Sequence, residues 1–315
     1  MASGLPSLIT AAALDVALGA ESLWSGAGGR RSSWHVLDVR WKLGGPPGRE
    51  EFERGHIPGA VYVDLDTELA GHGAPTDGRH PLPDESDFQA AARRWGLNDG
   101  DSVVVYDDVS GTSAARAWWL LRHAGVRDVR VLDGGLAAWR DAGMPIETET
   151  VTPAPGGIHL QFGALPTLDA DGAAALTHDG VLLDARAAER FRGEVEPVDP
   201  RPGHIPGAVS APTTDNLGAD GRMLPSDVLA ARFAALGIRP ETPVGVYCGS
   251  GVTAAHEALA LVTAGFPMPA LYAGSYSAWS NDPERPVADG ADSGNRRSEE
   301  RRVGKECRSR WSPYH

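Results

Sequence analysis

Cysteine, surplus positive charge and long apolar runs are all scarce in this chain of 315 residues. Two cysteines do not make a disulfide framework, and they favour a reducing cytoplasm as the location. The formal net charge of −13 argues against a nucleic-acid or anionic-membrane partner, because phosphate groups need a basic surface. No apolar run approaches the roughly 20 residues of a membrane span. We therefore expect a cytoplasmic globular protein, and we interpret residues 1–29 as a first strand and helix rather than a signal peptide.

What the chain does contain is a long internal repeat. The sequence Gly-His-Ile-Pro-Gly-Ala-Val occupies residues 55–61 and recurs at 203–209, an offset of 148 residues (203 − 55). Apolar runs typical of buried strands correspond in the two halves, at 36–40 and 181–186 and again at 103–106 and 244–247. Helical patterns alternate with these strands. A period this long predicts two tandem copies of one α/β domain, each a parallel β-sheet flanked by helices.

The repeat divides the chain into four parts. We assign a first domain to residues 1–144, a proline- and threonine-rich linker to 145–160, and a second domain to 161–288. The remaining tail, 289–315, is basic on an otherwise acidic protein, and we expect it to be disordered. Its residues 297–315 look like the in-frame translation of a sequencing-library adapter. We therefore interpret them as an artefact rather than as a nucleic-acid-binding arm.

The second domain contains a pattern suited to a reactive thiolate. The apolar run 244–247 predicts a short buried strand that ends at Cys248. A loop and the start of a helix follow, formed by Gly249, Ser250, Gly251, Val252 and Thr253. Backbone N–H groups of such a loop, and the positive end of the helix, can stabilise a sulfur anion. We expect both glycines to adopt positive φ so that the amides turn inward, and Thr253 to cap the helix.

The first domain has the same scaffold without the thiol. Aligning Tyr106 with Tyr247 places Asp107 opposite Cys248. We therefore predict that the first domain is catalytically silent and forms one wall of a cleft between the domains. Residues 71–83 of this domain are predicted to form an ordered but irregular surface loop.

Taken together, these features resemble the tandem rhodanese-domain sulfurtransferases. The resemblance rests on the two Gly-His-Ile-Pro-Gly-Ala motifs, the turn at 133–135 with Trp139, and the loop 248–254, and it covers the chain to about Pro286. It implies that Cys248 takes a sulfane sulfur from a donor, carries it as a persulfide and passes it to a thiophilic acceptor. It implies no metal or organic cofactor.

The loop also suggests the donor. Family members that use thiosulfate typically carry cations directly after the cysteine, whereas Cys-Gly-Ser-Gly-Val-Thr is similar to the 3-mercaptopyruvate sulfurtransferases. We therefore expect 3-mercaptopyruvate as donor, pyruvate as product, and thioredoxin or another dithiol, glutathione or cyanide as acceptor. Thiosulfate stays an alternative donor, and a non-enzymatic sulfur carrier or redox sensor is a second alternative. A phosphatase of related fold would need arginine where this chain has Ala254.

The resemblance further implies donor-binding and relay residues. The family's carboxylate-binding arginine corresponds to Arg190, four residues after the Asp-x-Arg motif, and the best match to its second arginine is Arg201. Ser250 is expected to polarise the donor carbonyl or relay a proton. His56 matches the position of a family relay histidine, although its repeat, His204, favours a role in holding the turn.

Overall fold

The structure, a computed structural model, describes residues 6–22 and 33–291. In these ranges the first sheet consists of β1 (Leu8–Ile9), β2 (Trp34–Asp38), β3 (Val61–Tyr62), β4 (Ser102–Tyr106) and β5 (Asp128–Leu132). The second consists of β6 (Thr167–Leu168), β7 (Val181–Asp184), β8 (Val209–Ser210), β9 (Val244–Tyr247) and β10 (Ala270–Tyr272). The strand orders, β1-β5-β4-β2-β3 and β6-β10-β9-β7-β8, are equivalent, and all pairs are parallel. The predicted tandem α/β architecture is confirmed.

Helices connect the parallel strands and cover the sheets. The first domain has α1 (Ala11–Ser22), α2 (Gly48–Glu53), α3 (Leu65–Glu68), α4 (Glu85–Arg94), α5 (Ala114–His123) and α6 (Gly135–Asp141). The second has α7 (Ala170–Asp179), α8 (Ala188–Phe191), α9 (Ser226–Ala235), α10 (Thr253–Thr263) and α11 (Ser275–Asn281). Short 3₁₀ helices span Pro75–Asp77 and Thr213–Asn216. Among the described helices, none combines the length and apolar character needed to cross a bilayer.

The two domains share a hydrophobic core. Helix α5 packs against α10, and one buried cluster contains Trp118 of α5 together with Leu259 of α10. Strand β4 shows how the sheet separates two cores, because Val103 belongs to this shared cluster and Val104 to a second cluster on the opposite face. Since α10 begins just after Cys248, packing between the domains fixes the helix that follows the predicted nucleophile.

The repeated histidine motif has the same structural role in both domains. His56 stacks on Phe52 with 3.8 Å between ring centroids, and its Nδ1 lies 2.8 Å from the Phe52 carbonyl oxygen. His204 stacks on Phe191 at 3.7 Å, and its Nδ1 lies 2.8 Å from the Phe191 carbonyl oxygen. Each ring ties a turn to the short helix before it. The structure does not bring His56 to the Cys248 loop, which corrects its assignment as a relay residue.

The predicted linker, residues 145–160, is attached to the first domain along its length. Ile158 and Leu160 are buried, and the backbone N–H of residue 158 donates to the carbonyl of residue 97. The domain boundaries stay a proposal. The tail from residue 292 onward, including the suspected adapter translation at 297–315, lies outside the described residues.

A buried carboxyl group on α10 gives the fold a pH dependence. Glu257 is fully buried, accepts a hydrogen bond from Asn216 at 2.6 Å and lies 3.4 Å from Arg232. Burial nevertheless raises the pKa of Glu257 from 4.5 to about 7. A carboxyl group whose pKa rises on folding stabilises the folded state below its unfolded pKa. That stabilisation is lost as the pH rises through the folded pKa.

Between pH 5 and pH 8 the unfolding free energy of the wild type should therefore fall by roughly 3 kcal/mol more than that of the Glu257→Gln variant, which lacks this titrating group. Urea unfolding at the two pH values measures this difference. The exposed Glu241→Gln variant is the matched control and should behave as the wild type. An unchanged pH dependence in the Glu257 variant would show that this carboxyl group does not carry the effect.

Candidate active site

Strand β9 ends at Tyr247, and Cys248, which is 2% exposed, follows it directly. The backbone N–H of Gly251 donates to Sγ at 3.1 Å, so one loop amide faces the sulfur as predicted. The backbone N–H of Cys248 donates to Oγ of Ser275 at 3.1 Å, and its carbonyl accepts from the Tyr276 amide at 2.9 Å. The start of α11 thus also holds the loop in place.

The two loop glycines are required for different reasons. Gly251 has φ of +78°, and a Cβ there would lie 2.5 Å from the Ala273 carbonyl oxygen. Gly249 does not adopt positive φ, so that part of the prediction is wrong. A Cβ on Gly249 would instead lie 3.0 Å from Nη2 of Arg79 and 3.4 Å from Nη1 of Arg190. The missing side chain at Gly249 therefore leaves room for two guanidinium groups.

Helix α10 begins at Thr253, five residues after Cys248 (253 − 248). Val252 is the N-cap residue, and no side chain makes a capping hydrogen bond. The prediction that Thr253 caps the helix is wrong, because Thr253 already belongs to its first turn. Val252 is buried in the shared core. The positive end of the helix dipole lies at the loop, where it favours a sulfur anion.

Ser250 joins the loop to the first domain. Its Oγ lies 2.8 Å from Nδ1 of His80, and Nε2 of His80 lies 3.1 Å from Oδ1 of Asp66. The indole N–H of Trp41 donates to the other oxygen of Asp66 at 3.0 Å. Burial and the charge of Arg116 lower the pKa of His80, whereas Asp66 acts in the opposite direction. A hydroxyl–imidazole–carboxylate chain of this kind can hold or move a proton at Ser250.

The histidine that the structure places beside Ser250 is thus His80, whereas the sequence had pointed to His56. His80 lies in the irregular loop 71–83, part of which recurs in the second half of the chain: Asp77-Gly78-Arg79 is repeated as Asp220-Gly221-Arg222, and Met223 stands where the first half has His80. The usable signal was this difference between the copies, which places a titratable side chain beside Arg79 in a loop rich in glycine and proline.

A fully buried arginine of the first domain lies behind the loop. Arg116 of α5 is 0% exposed. Its guanidinium donates to four backbone carbonyl oxygens, those of Leu69 (3.2 Å), His80 (3.0 Å), Pro81 (3.1 Å) and Gly251 (3.1 Å). Burial lowers the pKa of Arg116 to about 10, which leaves the group charged at neutral pH. Arg116 therefore fixes loops of both domains and places a positive charge close to the sulfur.

Arg190 lies at the opening of the site, at the end of α8. Its Nη2 donates to Glu196 at 2.7 Å and to Asp199 at 3.1 Å, and Nη1 faces Gly249.

Arg201 has another role. Its guanidinium donates to the backbone carbonyls of Trp279, Ser280, Asp282 and Arg285 at 2.6–2.9 Å. Arg201 thereby secures the end of α11, which corrects its assignment as a donor-binding residue.

In the first domain a carboxylate fills the equivalent loop. Asp107 is 0% exposed and accepts four backbone hydrogen bonds of 2.8–2.9 Å, from Val109, Gly111, Ser113 and Ala114. Burial raises the pKa of Asp107, and the four amides oppose that shift. The loop is an anion-binding nest in which the chain's own carboxylate stands where the second domain has a thiol.

The arrangement around Cys248 can support three chemical steps. A thiol held against an amide and a helix N-terminus can attack as a nucleophile. The Ser250 hydroxyl, backed by His80 and Asp66, can donate a hydrogen bond or a proton. Guanidinium groups at the opening can bind an anion. Within residues 6–22 and 33–291, no group of three or more His, Cys, Asp or Glu side chains is arranged to hold a metal ion.

Comparison with known proteins identifies the fold family. A model of the rhodanese-like domain matches residues 21–142 and again residues 169–282. The chain belongs to the rhodanese family. The crystal structure of SseA from Escherichia coli, a 3-mercaptopyruvate sulfotransferase, superimposes with a TM-score of 0.71 and 34% identity over 86% of this chain and 99% of SseA.

Two bacterial members of the rhodanese family are similar over most of their length. A Pseudomonas aeruginosa protein with the provisional name 3-mercaptopyruvate sulfurtransferase is 51% identical over 264 residues, covering 81% of this chain and 92% of the relative. A Mycobacterium tuberculosis protein with the provisional name thiosulfate sulfurtransferase SseB is 49% identical over 261 residues, covering 81% and 90%. The prediction of a tandem rhodanese-domain sulfurtransferase is confirmed. The names of the two relatives differ in the donor.

Proposed function

We propose that this rhodanese-family enzyme transfers sulfur from 3-mercaptopyruvate to Cys248 and releases pyruvate. The observation that carries the choice of donor is the chain Ser250–His80–Asp66 beside the loop. When the Cys248 thiolate attacks the donor sulfur, an S–S bond forms and the C–S bond breaks. The electron pair moves onto the donor carbonyl as an enolate, and the proton of the donor thiol ends on carbon to give pyruvate. Sulfite, the leaving group of thiosulfate, needs no such proton.

Each residue of the site has a role in this reaction. Cys248 is the nucleophile and carries the persulfide, with the Gly251 amide on its sulfur. Ser250 donates a hydrogen bond to the developing enolate oxygen and, backed by His80 and Asp66, relays the proton that ends on carbon. Arg190 binds the donor carboxylate. The first domain lacks a thiol in its equivalent loop and takes part through the side chains that it contributes to this site.

The second half of the reaction passes the outer sulfur to an acceptor. We propose a thiol acceptor, such as thioredoxin or another dithiol or glutathione, with cyanide as a laboratory acceptor. Attack by an acceptor thiolate on the outer sulfur returns the Cys248 thiolate and gives the acceptor persulfide. A cytoplasmic location agrees with this acceptor class and with the low cysteine content.

Steady-state kinetics with both donors test the proposal. We expect pyruvate release from 3-mercaptopyruvate over many turnovers, with kcat/KM well above that for thiosulfate with the same acceptor. A clear preference for thiosulfate would instead support the second candidate, which the M. tuberculosis relative's name and the two guanidinium groups beside Gly249 favour. Labelling of Cys248 without repeated turnover would indicate a sulfur carrier or redox sensor.

The relay predicts a specific pH profile. Because burial and Arg116 lower the pKa of His80 and Asp66 raises it, Asp66→Asn should lower it further. If neutral His80 is the active form, the acid limb of the kcat profile moves to lower pH in the variant. Ser250→Ala should lower kcat for 3-mercaptopyruvate by about 100-fold, the lower range for a proton-transfer residue.

The control for this profile is Asp99→Asn. Asp99 lies on the surface away from the site, and its Oδ2 is 2.8 Å from Nδ1 of the exposed His159. This variant should keep the wild-type profile. An acid limb that stays in place in Asp66→Asn, or moves to higher pH, would rule out the His80 relay.

A further inference from the structure

We propose that Arg79, on a loop of the catalytically silent domain, is a second donor-binding residue that determines specificity for a monocarboxylate donor. The proposal rests on the function proposed above and assigns to Arg79 the place for which Arg201 was expected. Arg79 and Arg190 come from different domains, and their guanidinium groups meet above Gly249, the residue directly after the nucleophile.

The backbone at Arg79 is held tightly against the second domain. The amide of Arg79 donates to Oγ of Ser277 at 3.0 Å. The preceding Gly78 has φ of +92°, and a Cβ there would lie 2.5 Å from the Gly274 carbonyl oxygen. Because neither contact tolerates displacement of the loop, the backbone of Arg79 is fixed, and the ion pair with Asp199 holds its guanidinium at the opening of the site.

Arg79 and Arg190 are paired with acidic side chains, but some of their N–H groups remain directed at the loop. Asp199 pairs with Nη1 of Arg79 through one oxygen and with Nη2 of Arg190 through the other, and Glu196 also pairs with Arg190. Arg79 Nη2 and Arg190 Nη1 both face Gly249. Nε of Arg79 is buried without a hydrogen-bond partner among the described residues. The N–H groups near Gly249 are therefore available to a ligand.

The charges of this cluster favour one negative charge over two. Two guanidinium groups face two carboxylates, so the four side chains balance before a donor binds. A monocarboxylate adds one negative charge, which two N–H edges can satisfy. Thiosulfate would bring two negative charges next to the nearly buried carboxylates of Glu196 and Asp199, and like charges repel strongly where solvent is scarce.

The test compares 3-mercaptopyruvate with its methyl ester, which keeps the thiol and the carbonyl but lacks the charge. We expect Arg79→Gln to lower the ratio of kcat/KM for the acid to that for the ester by roughly 10- to 100-fold, as loss of one charge-assisted hydrogen bond predicts. Arg79→Lys should retain part of the preference. Arg192→Gln, on a surface arginine paired with Glu194, is the matched control and should keep the wild-type ratio.

A wild-type ratio in Arg79→Gln would overturn the proposal. So would recovery of the ratio in the double variant Arg79→Gln/Asp199→Asn, because Arg79 would then act only by neutralising Asp199. Persistence of the low ratio in the double variant, with a Tm close to that of the wild type, supports direct contact with the donor. Failure of the proposed function is seen separately, since the wild-type enzyme would then release no pyruvate from the acid.

Discussion

Replacing Cys248 with serine is expected to reduce sulfur transfer from any donor by roughly 10⁴-fold or more, to below detection. A serine hydroxyl is far less nucleophilic than a thiolate and forms no stable bond to sulfane sulfur. Cys248 is the one thiol in the described part of the chain, so no neighbouring group can take over. Intact-protein mass spectrometry after exposure to 3-mercaptopyruvate should show the gain of one sulfur atom in the wild type and none in the variant.

The matched control is Cys307→Ser, which removes the chain's other cysteine from the tail outside the described residues. It should take up sulfur and turn over as the wild type does. Wild-type sulfur uptake by Cys248→Ser would place the nucleophile elsewhere and contradict the assignment of the whole loop.

Replacing Arg116 with methionine should produce the second large effect, on both stability and activity. The substitution removes a donor from four carbonyl oxygens in two domains, of which the Pro81 oxygen keeps its bond from the Gly71 amide and the other three lose the guanidinium. We expect a loss of roughly 3–5 kcal/mol in unfolding free energy, since each unsatisfied buried acceptor costs about 1 kcal/mol or more. We also expect kcat to fall by about 100-fold, because His80 and Gly251 lose the group that positions them.

Urea unfolding and steady-state kinetics measure the two parts of this prediction. Arg122→Met is the control, because Arg122 lies on the same helix, α5, and its side chain donates to the nearby Arg127 carbonyl at 2.8 Å and to no other residue in the described part of the chain. That variant should lose little in either measurement. Wild-type stability and activity in Arg116→Met would show that the loops of the two domains are held together without this side chain.

The sequence was informative wherever the relevant contacts lie within one copy of the repeat. Alternation of apolar strands and helical patterns predicted both sheets, and alignment of the copies placed Asp107 opposite Cys248. Arg190 came from the family resemblance, which places a carboxylate-binding arginine four residues after the Asp-x-Arg motif. In each case the neighbours along the chain determine the geometry.

The parts of the site that were missed come from the docking of one domain on the other. His80, Arg79 and Arg116 reach the loop only because α5 packs against α10, and no local pattern encodes that packing. Arg201 shows the opposite error. Its charge and position suggested a ligand, whereas backbone carbonyls at the end of α11 satisfy its guanidinium.

The contact between α5 and α10 also limits how the two halves of such an enzyme can be exchanged by recombination. The proposed nucleophile, Cys248, comes from one half of the duplicated chain, whereas the proposed relay and the buried cation come from the other. A chimaera that joined the second half to an unrelated first half would keep its cysteine but lose Asp66, His80 and Arg116 together. The two copies therefore form one functional unit. Exchanging either copy alone would remove side chains that the site needs.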